Sequence, residues 1–538
     1  MNTFSGAVST RSHALRAYAF ALTLVLGLAG CGGSSGPSQG YQGPPVTISG
    51  QITFDLVPHQ ADDSGLAYSL TRVEPVRGVE VQLLNSTDQV LDDTVSDDDG
   101  NYSLEAPAAT NVRVRIVARM LSTEAPSWDF MITDNTQNNG LYVLDGQLAN
   151  SGNRNSIRDL HADSGWDGQS YTGVRAAAPF AILDTVYEAV ARIVEVDPDV
   201  DLPPLELRWS PDNRAISGEL EDGDIGTTFY SFEGSIYVLG WEDNDTDEYD
   251  RSVIAHEFGH YVEHQLGRTD SIGGSHTTAN RLDMRVAFSE GWGNAFAGIA
   301  TEDPIYRDSM ATAQNHGFSF AVNENDSGAS GWYSEHSVNK ILYNLSENYL
   351  GFAPIYQTLV SDDFFFFDGA ISIYPFITLL QDTIADPIVA TLLNEEDITV
   401  IDAYGTGETN AGGSTIALPI YHQLTPGNFV EACSDNAIQE YNGFDVRRFI
   451  LIDVANSGNY QISAVRSSGP VVTDPDWILH QAGEWLEVGE SAVPGNETHT
   501  VNLAPGRYWL EVYDYQNADQ DSTTGGFACF NVSLSTAP

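Results

Sequence analysis

His256, Glu257 and His260 lie in the run VIAHEFGHYVEHQL (253–266) and spell H-E-x-x-H. On a helix, two histidines four residues apart share a face, so both imidazoles can reach one metal ion. Glu257 sits about 100° further round, near enough to hold a water on that ion without ligating it. Neutral imidazoles suit zinc, an open coordination position admits water, and a carboxylate takes the water's proton. The chemistry these residue types imply is metal-assisted hydrolysis.

Such a site needs a helix to carry it and a third protein ligand to complete it. Val253, Ile254, Tyr261, Val262 and Leu266 interleave with the polar positions. Asp247, Glu248 and Asp250 crowd the N-terminal side, and Gly267 can end the helix. An H-E-x-x-H-x-x-G-x-x-H continuation fails, because its Gly and last His positions hold Glu263 and Leu266. His264 lies two turns, about 12 Å, along the axis from His256 and cannot substitute. The next credible helix is RVAFSEGWGNAFAGIA (285–300), where Glu290 and Asn294 share a face. Glu290 as third ligand completes a His, His, Glu set.

HEFGH followed by SEGWGNAFAG resembles the gluzincin metallopeptidases, and most the fungalysin branch with its H-E-Y-x-H and G-E-G-W-S-D. The likeness covers roughly residues 230–350. It implies His256, His260 and Glu290 as zinc ligands and Glu257 as general base. The family usually has Asp four residues after the ligand Glu, orienting the first His. Here Asn294 stands in that place, able to accept a hydrogen bond but carrying no charge. The family also places an imidazole or phenol near its later active-site helix, to stabilise the oxyanion. The matching helix here is GWYSEHSVNKILYNL (331–345), and His336 is the first choice for that role, with Tyr333 and His316 as alternatives.

Arg11 and Arg16 precede the apolar stretch AYAFALTLVLGLAG, which ends at Cys31. A charged n-region, a short apolar h-region and small residues before the cut describe a signal peptide over 1–30. Leu28-Ala29-Gly30-Cys31 resembles a bacterial lipobox, which implies a lipidated Cys31 and a flexible tether over 31–45. Gly32 after the lipidated Cys implies outer-membrane sorting in a Gram-negative cell. The 538-residue chain has a net charge of −52 and a single lysine, Lys340. So acidic a surface repels nucleic acid.

Alternating strands such as VTISGQITF, VRGVEVQLL and NVRVRIVARM fill 46–120 and describe a small β-sandwich similar to carboxypeptidase regulatory-like domains. Residues 121–425 are the expected catalytic domain. It contains one clear helix opened by Pro179, and a strand at 231–241 (SFEGSIYVLGW) suited to pair with an extended substrate. The loop Glu242 to Asp250 carries six carboxylates in nine residues, which makes calcium a second cation to consider beside zinc, as does the Asp97 to Asp99 run. A solvated acidic loop and a hairpin turn are the simpler readings of those two runs. Residues 352–425 read as helical, with four consecutive phenylalanines, Phe364 to Phe367, as packing core. Alternation returns over 426–538, where LAPGRYWLEVYDY resembles the pre-peptidase C-terminal β-sandwich of secreted bacterial peptidases. Cys433 and Cys529 form an even pair there, and export permits a bridge.

The expected architecture is therefore multidomain: a β-sandwich, an α/β (α+β) gluzincin-like zinc peptidase domain, and a second β-sandwich. The expected function is an exported zinc metalloendopeptidase on a bacterial cell envelope, as an outer-membrane lipoprotein or extracellular. Its partners are a protein or peptide substrate and, through the lipid anchor, a membrane. A cell-surface adhesion or glycan-binding lipoprotein with an inactive peptidase-like domain is the competing reading, and a zinc hydrolase acting on glycoproteins is a third.

Overall fold

The computed structural model describes residues 44–61, 65–242, 244–438 and 441–537. The expected leader, Cys31 and nearly all of the tether lie outside them. The architecture is β-rich and multidomain, with a helical block set between sheets.

The first strand, Val46–Leu56, points Val46, Ile48, Ile52, Phe54 and Leu56 inward at the spacing that alternation dictates. It pairs antiparallel with Asn101–Ala106 and Arg72–Pro75. Facing it is a ten-stranded sheet whose main path runs Phe229–Ser231, Ser235–Val238, Leu205–Trp209, Trp128–Asp134, Asn111–Ser122, Val79–Asn85, Val90–Val95. This sheet is continuous across residue 120, where the sequence placed a boundary. Met120 pairs with Phe130, so N-terminal strands and strands of the 121–425 region form one layer. Period-two patterning marks which residues face inward but not which strand lies alongside.

Helix α1 (Ala178–Val196) starts with Pro179 in its first turn, where the missing N–H costs nothing. It packs against α2 (Arg251–Leu266) and α3 (Met284–Thr301). Both of these are buried on nearly every side. Phe258, Tyr261, Trp292 and Phe296 are inaccessible, each contributing about 1.5–3 kcal/mol through burial. Covered all round, α2 and α3 lack the polar face of a surface helix, and one core joins them to the sheets. Asp283 caps α3 by accepting from Arg285 N. Helix α4 (Glu335–Tyr343) is capped by Ser334 and lies against α3. A hairpin, Ile305–Met310 with His316–Ala321, joins Asp245–Thr246 in a separate four-stranded sheet.

Four short helices follow between Phe352 and Glu395, with Pro375 and Pro387 in first turns rather than breaking interiors. Phe364 is core, packed on Phe288 and Phe376, while Phe366 is 60% exposed. From Tyr421 onward two sheets of five and four strands stack over their own core of Trp477, Leu479, Leu510 and Phe530. Cys433 and Cys529 face each other on adjacent strands and are bridged. Among the described residues no helix is long and apolar enough to cross a membrane.

Candidate metal centre and its cleft

Helices α2 and α3 come into close contact at two glycines, Gly259 and Gly293. A Cβ on Gly259 would lie 3.2 Å from Gly293 Cα. A Cβ on Gly293 would lie 2.8 Å from the His256 ring, so the bare Cα is what leaves room for that imidazole. The close approach brings Glu290 of α3 over the histidines of α2. His256 Nε2 and His260 Nε2 lie 3.3 and 3.6 Å from Glu290 Oε2, and 3.0 Å from each other. One donor atom from each of the three lies within 4.8 Å of the other two.

The remaining ring nitrogens are held. His256 Nδ1 is 2.9 Å from Asn294 Oδ1. His260 Nδ1 is 3.2 Å from Ser289 Oγ, which itself donates to Glu263 Oε2 at 2.6 Å. With Nδ1 of each ring engaged by a fixed partner, both Nε2 atoms are presented to one point, the arrangement a metal-ligating histidine pair requires. Burial alone would lower the His260 imidazolium, but Glu290 and Glu263 outweigh it and hold its pKa well above the usual range. Burial likewise opposes the Glu290 carboxylate, yet His276 and His260 hold its pKa well below the ordinary value. Two nitrogens and a carboxylate oxygen form a donor set that suits zinc.

Glu257 also lines the cleft, and its Oε2 accepts from Tyr230 N at 2.7 Å. Burial is the main cause of its raised pKa. Tyr230 belongs to Phe229–Ser231, which ends the main path of the large sheet and lines the cleft. This corrects the expected substrate strand. Ser235–Val238 lies inside the sheet, between Phe229–Ser231 and Leu205–Trp209, and the edge belongs to the strand one turn earlier. His264 turns away and meets Tyr230 OH at 2.9 Å.

The cleft over this centre measures about 850 Å³. His336 does not line it. That side chain is 3% exposed and packs on Phe320 with ring centroids 4.6 Å apart. Adjacent helical residues point about 100° apart, and it is the preceding residue, Glu335, that faces the cleft. Tyr333 bonds Ser330 and Asn410, and His316 pairs with Met310 at the hairpin; neither lines the cleft.

Two groups that the sequence reading passed over do line it. His276, on the loop between α2 and α3, places Nε2 3.6 Å from Glu290 Oε2 and 3.5 Å from Glu335 Oε2. Its Nδ1 lies 2.9 Å from the Gly274 carbonyl. Burial works against its charge, but Glu290 and Glu335 push its pKa up to about 10. Tyr306, on the hairpin, sits 6.0 Å from His256 ring to ring. A histidine in the Gly-Gly-Ser-His loop joining the two motif helices was the one available sequence signal.

No family model matches the chain, and no curated protein matches it. Among solved structures, the precursor of protealysin, a metalloproteinase from Serratia proteamaculans, is similar over 52% of this chain and 87% of its own, at 10% identity and a TM-score of 0.29. The pre-peptidase C-terminal domain of a Bacillus anthracis collagenase is similar over 21% of this chain and 93% of its own, at 19% identity and a TM-score of 0.17. A carbohydrate-binding module of Cellvibrio mixtus lichenase 5A is similar over 21% of this chain and 89% of its own, at 13% identity and a TM-score of 0.14. At these identities and scores the functional argument stays with the residues of the cleft.

Proposed function

We propose that the chain is an exported zinc-dependent endopeptidase with a gluzincin-like catalytic domain. One observation carries this reading: His256, His260 and Glu290 converge on one point while Glu257 lies beside them, held by Tyr230 N. Zinc held by these three ligands supplies Lewis acidity toward a substrate carbonyl and acidifies a bound water. The chain's own groups do the rest. Glu257 takes the water's proton and passes it to the leaving amine, a task its raised pKa suits. Asn294, Ser289 and Glu263 orient the two imidazoles. His276, whose Nε2 lies between Glu290 and Glu335 on the cleft wall, takes the oxyanion-stabilising role first assigned to His336. Phe229–Ser231 borders the cleft in which an extended peptide would lie, with its Tyr230 N–H holding Glu257.

The bridged Cys433 and Cys529 support an oxidising, exported setting. We assign the membrane link to Cys31, as an acylated lipoprotein, and the substrate to the protein or peptide class.

The test is metal content and casein hydrolysis on purified protein. One zinc per chain, activity abolished by chelator, and a zinc-loaded but inactive Glu257→Gln variant are expected. Glu290→Ala should lose the metal. A zinc-bound wild type that cleaves no peptide would hand the molecule to the competing reading, a surface-binding lipoprotein.

A further inference from the structure

Nine residues before His256, the wall of the same cleft holds a second cluster of different chemistry. Asp245 lies in the strand Asp245–Thr246 and Asp247 follows it. Asp308 comes from Ile305–Met310, whose Met310 pairs with Asp245. One carboxylate oxygen from each falls within 4.8 Å of the other two. Oxygens that share one calcium ion at 2.3–2.6 Å are separated by at most about 5 Å, so this spacing fits a common ion.

Asp247 is 3% exposed, and its Oδ1 has no hydrogen-bond partner. The Oδ1 atoms of Asp245 and Asp308 are also buried and unpartnered. Thr228 Oγ1 donates to the other oxygen of Asp247. Among the described residues, no salt bridge joins any of the three to a basic side chain. A further carboxylate, Asp250, acts on all three and is itself held by Ser309 N, Ser309 Oγ and His59. Burial, then Asp250, pushes Asp245 up to about 7, while burial and neighbouring carboxylates hold Asp247 and Asp308 well above the ordinary range. Carboxylates crowded together in the interior must either keep protons or share a cation.

We propose that Asp245, Asp247 and Asp308 bind a calcium ion that ties the hairpin Ile305–Ala321 to the chain entering α2. All three donors are hard oxygens, with no imidazole among them, which selects calcium or magnesium over zinc. The flexible geometry of calcium tolerates ligands from two strands better than the strict octahedron of magnesium. Because α2 begins only four residues after Asp247, the ion fixes the approach to the helix that carries His256. The sequence marked the acidic loop but not its partner, since Asp308 lies about sixty residues away on a strand that was not foreseen. A lysine or arginine side chain of a bound peptide is the other occupant to consider. The unpartnered oxygens are buried in the wall, which favours a bare ion.

The experiment uses the full zinc-loaded chain, stripped with EGTA at a concentration that leaves zinc in place, and titrated with calcium chloride by calorimetry and thermal melting. Calcium should bind in the micromolar to millimolar range and raise Tm, with a smaller rise from magnesium. Asp308→Asn and Asp245→Asn should each weaken calcium binding about tenfold or more, with zinc content unchanged. In EGTA each should melt no lower than wild type, because each removes a repelling charge. Wild-type protein whose Tm ignores calcium overturns the proposal, as does calcium binding that both variants retain in full. Variants that leave calcium binding intact but raise KM only for lysine- or arginine-containing peptides would reassign the cluster to substrate recognition. Every readout but that last one is independent of peptidase activity, so failure here is distinguishable from failure of the zinc assignment.

Discussion

His256 Nδ1 lies 2.9 Å from Asn294 Oδ1, where the resembling family carries a carboxylate. The missing charge is present one step further away. Asn294 Nδ2 donates to Glu335 Oε2 at 3.4 Å, so a buried carboxylate polarises the amide that receives the His256 proton. Asn294→Ala should therefore weaken zinc binding about 10- to 100-fold, the usual cost of losing such a partner. Asn294→Asp alone gains little, because it sets one carboxylate against another. Paired with Glu335→Gln it should recover tight binding. A chelator-competition titration of the single and double variants checks this, and a single Asn294→Asp variant that binds zinc more tightly than wild type would remove Glu335 from the account.

Gly293 controls the same ring sterically. A methyl group there would meet His256 Cε1 at 2.8 Å and Nδ1 at 2.9 Å, and α3 has little room to back away because Gly291 is packed on Val338 of α4, where a Cβ would meet the valine at 2.4 Å. Gly293→Ala should displace the imidazole and lower zinc affinity by about tenfold or more, with the far-ultraviolet circular dichroism unchanged. Full zinc occupancy at wild-type affinity would show that the helices can separate.

The two histidines near α4 should separate cleanly in kinetics. His276→Ala should lower kcat by about 10²- to 10³-fold, the cost of removing one transition-state donor, while zinc content holds. His336→Leu should leave kcat unaltered and hold or raise Tm, since the ring it replaces is buried with both nitrogens unpartnered. A kcat loss at His336 with none at His276 would restore the sequence assignment.

Cys31 falls outside the described residues, and its role is testable in the cell. Wild-type protein should fractionate with membranes and carry fatty acid on its N-terminus, and Cys31→Ser should not. A wholly soluble wild type with an unmodified N-terminus would mean an ordinary signal peptide.

Much of the centre was legible because it depends on local spacing. His256, Glu257 and His260 are fixed by one helical turn, and Glu290 and Asn294 by another. The parity of the two remaining cysteines pointed to the bridge that the sandwich contains. What escaped depends on tertiary contact. His276 reaches Glu290 from a loop without periodicity, and Asp308 reaches Asp247 across a hairpin whose strands lack clear alternation. On α4 the element is legible but its face is not: His336, named with Tyr333 and His316 as alternatives, turns away from the cleft, and its neighbour Glu335 faces it. The boundary at 120 fell within one sheet, because strands advertise their buried side but not their partner.

The last relationship joins the C-terminal sandwich to α3, the helix that carries Glu290. Arg285, in the first turn of α3, donates to Glu511 from both terminal nitrogens at 2.7 and 3.1 Å, and to Asp283 at 2.9 Å. Arg447 Nε and His480 Nε2 lie 2.9 and 3.5 Å from the same Glu511 carboxylate. Arg285 and Glu511 are 2% and 3% exposed, so neither charge is screened by water. Glu511→Gln would leave Arg447 without its carboxylate and Arg285 with Asp283 alone, costing about 3–5 kcal/mol. Burial disfavours the Glu511 charge, but Arg285, His480 and Arg447 hold its pKa well below the ordinary range. A depressed carboxylate contributes its full stabilisation above the unfolded value, about 4.3 for Glu. It loses that contribution as pH falls through the folded value. The gap in Tm between wild type and Glu511→Gln should thus be constant from about pH 5 to 8 and narrow only in more acid solution. Because Glu290 lies on the same helix five residues on from Arg285, the variant should also lower zinc affinity below the melting range. A gap that closes toward pH 8, or a variant that melts with wild type throughout, would show that the junction rests on apolar packing instead.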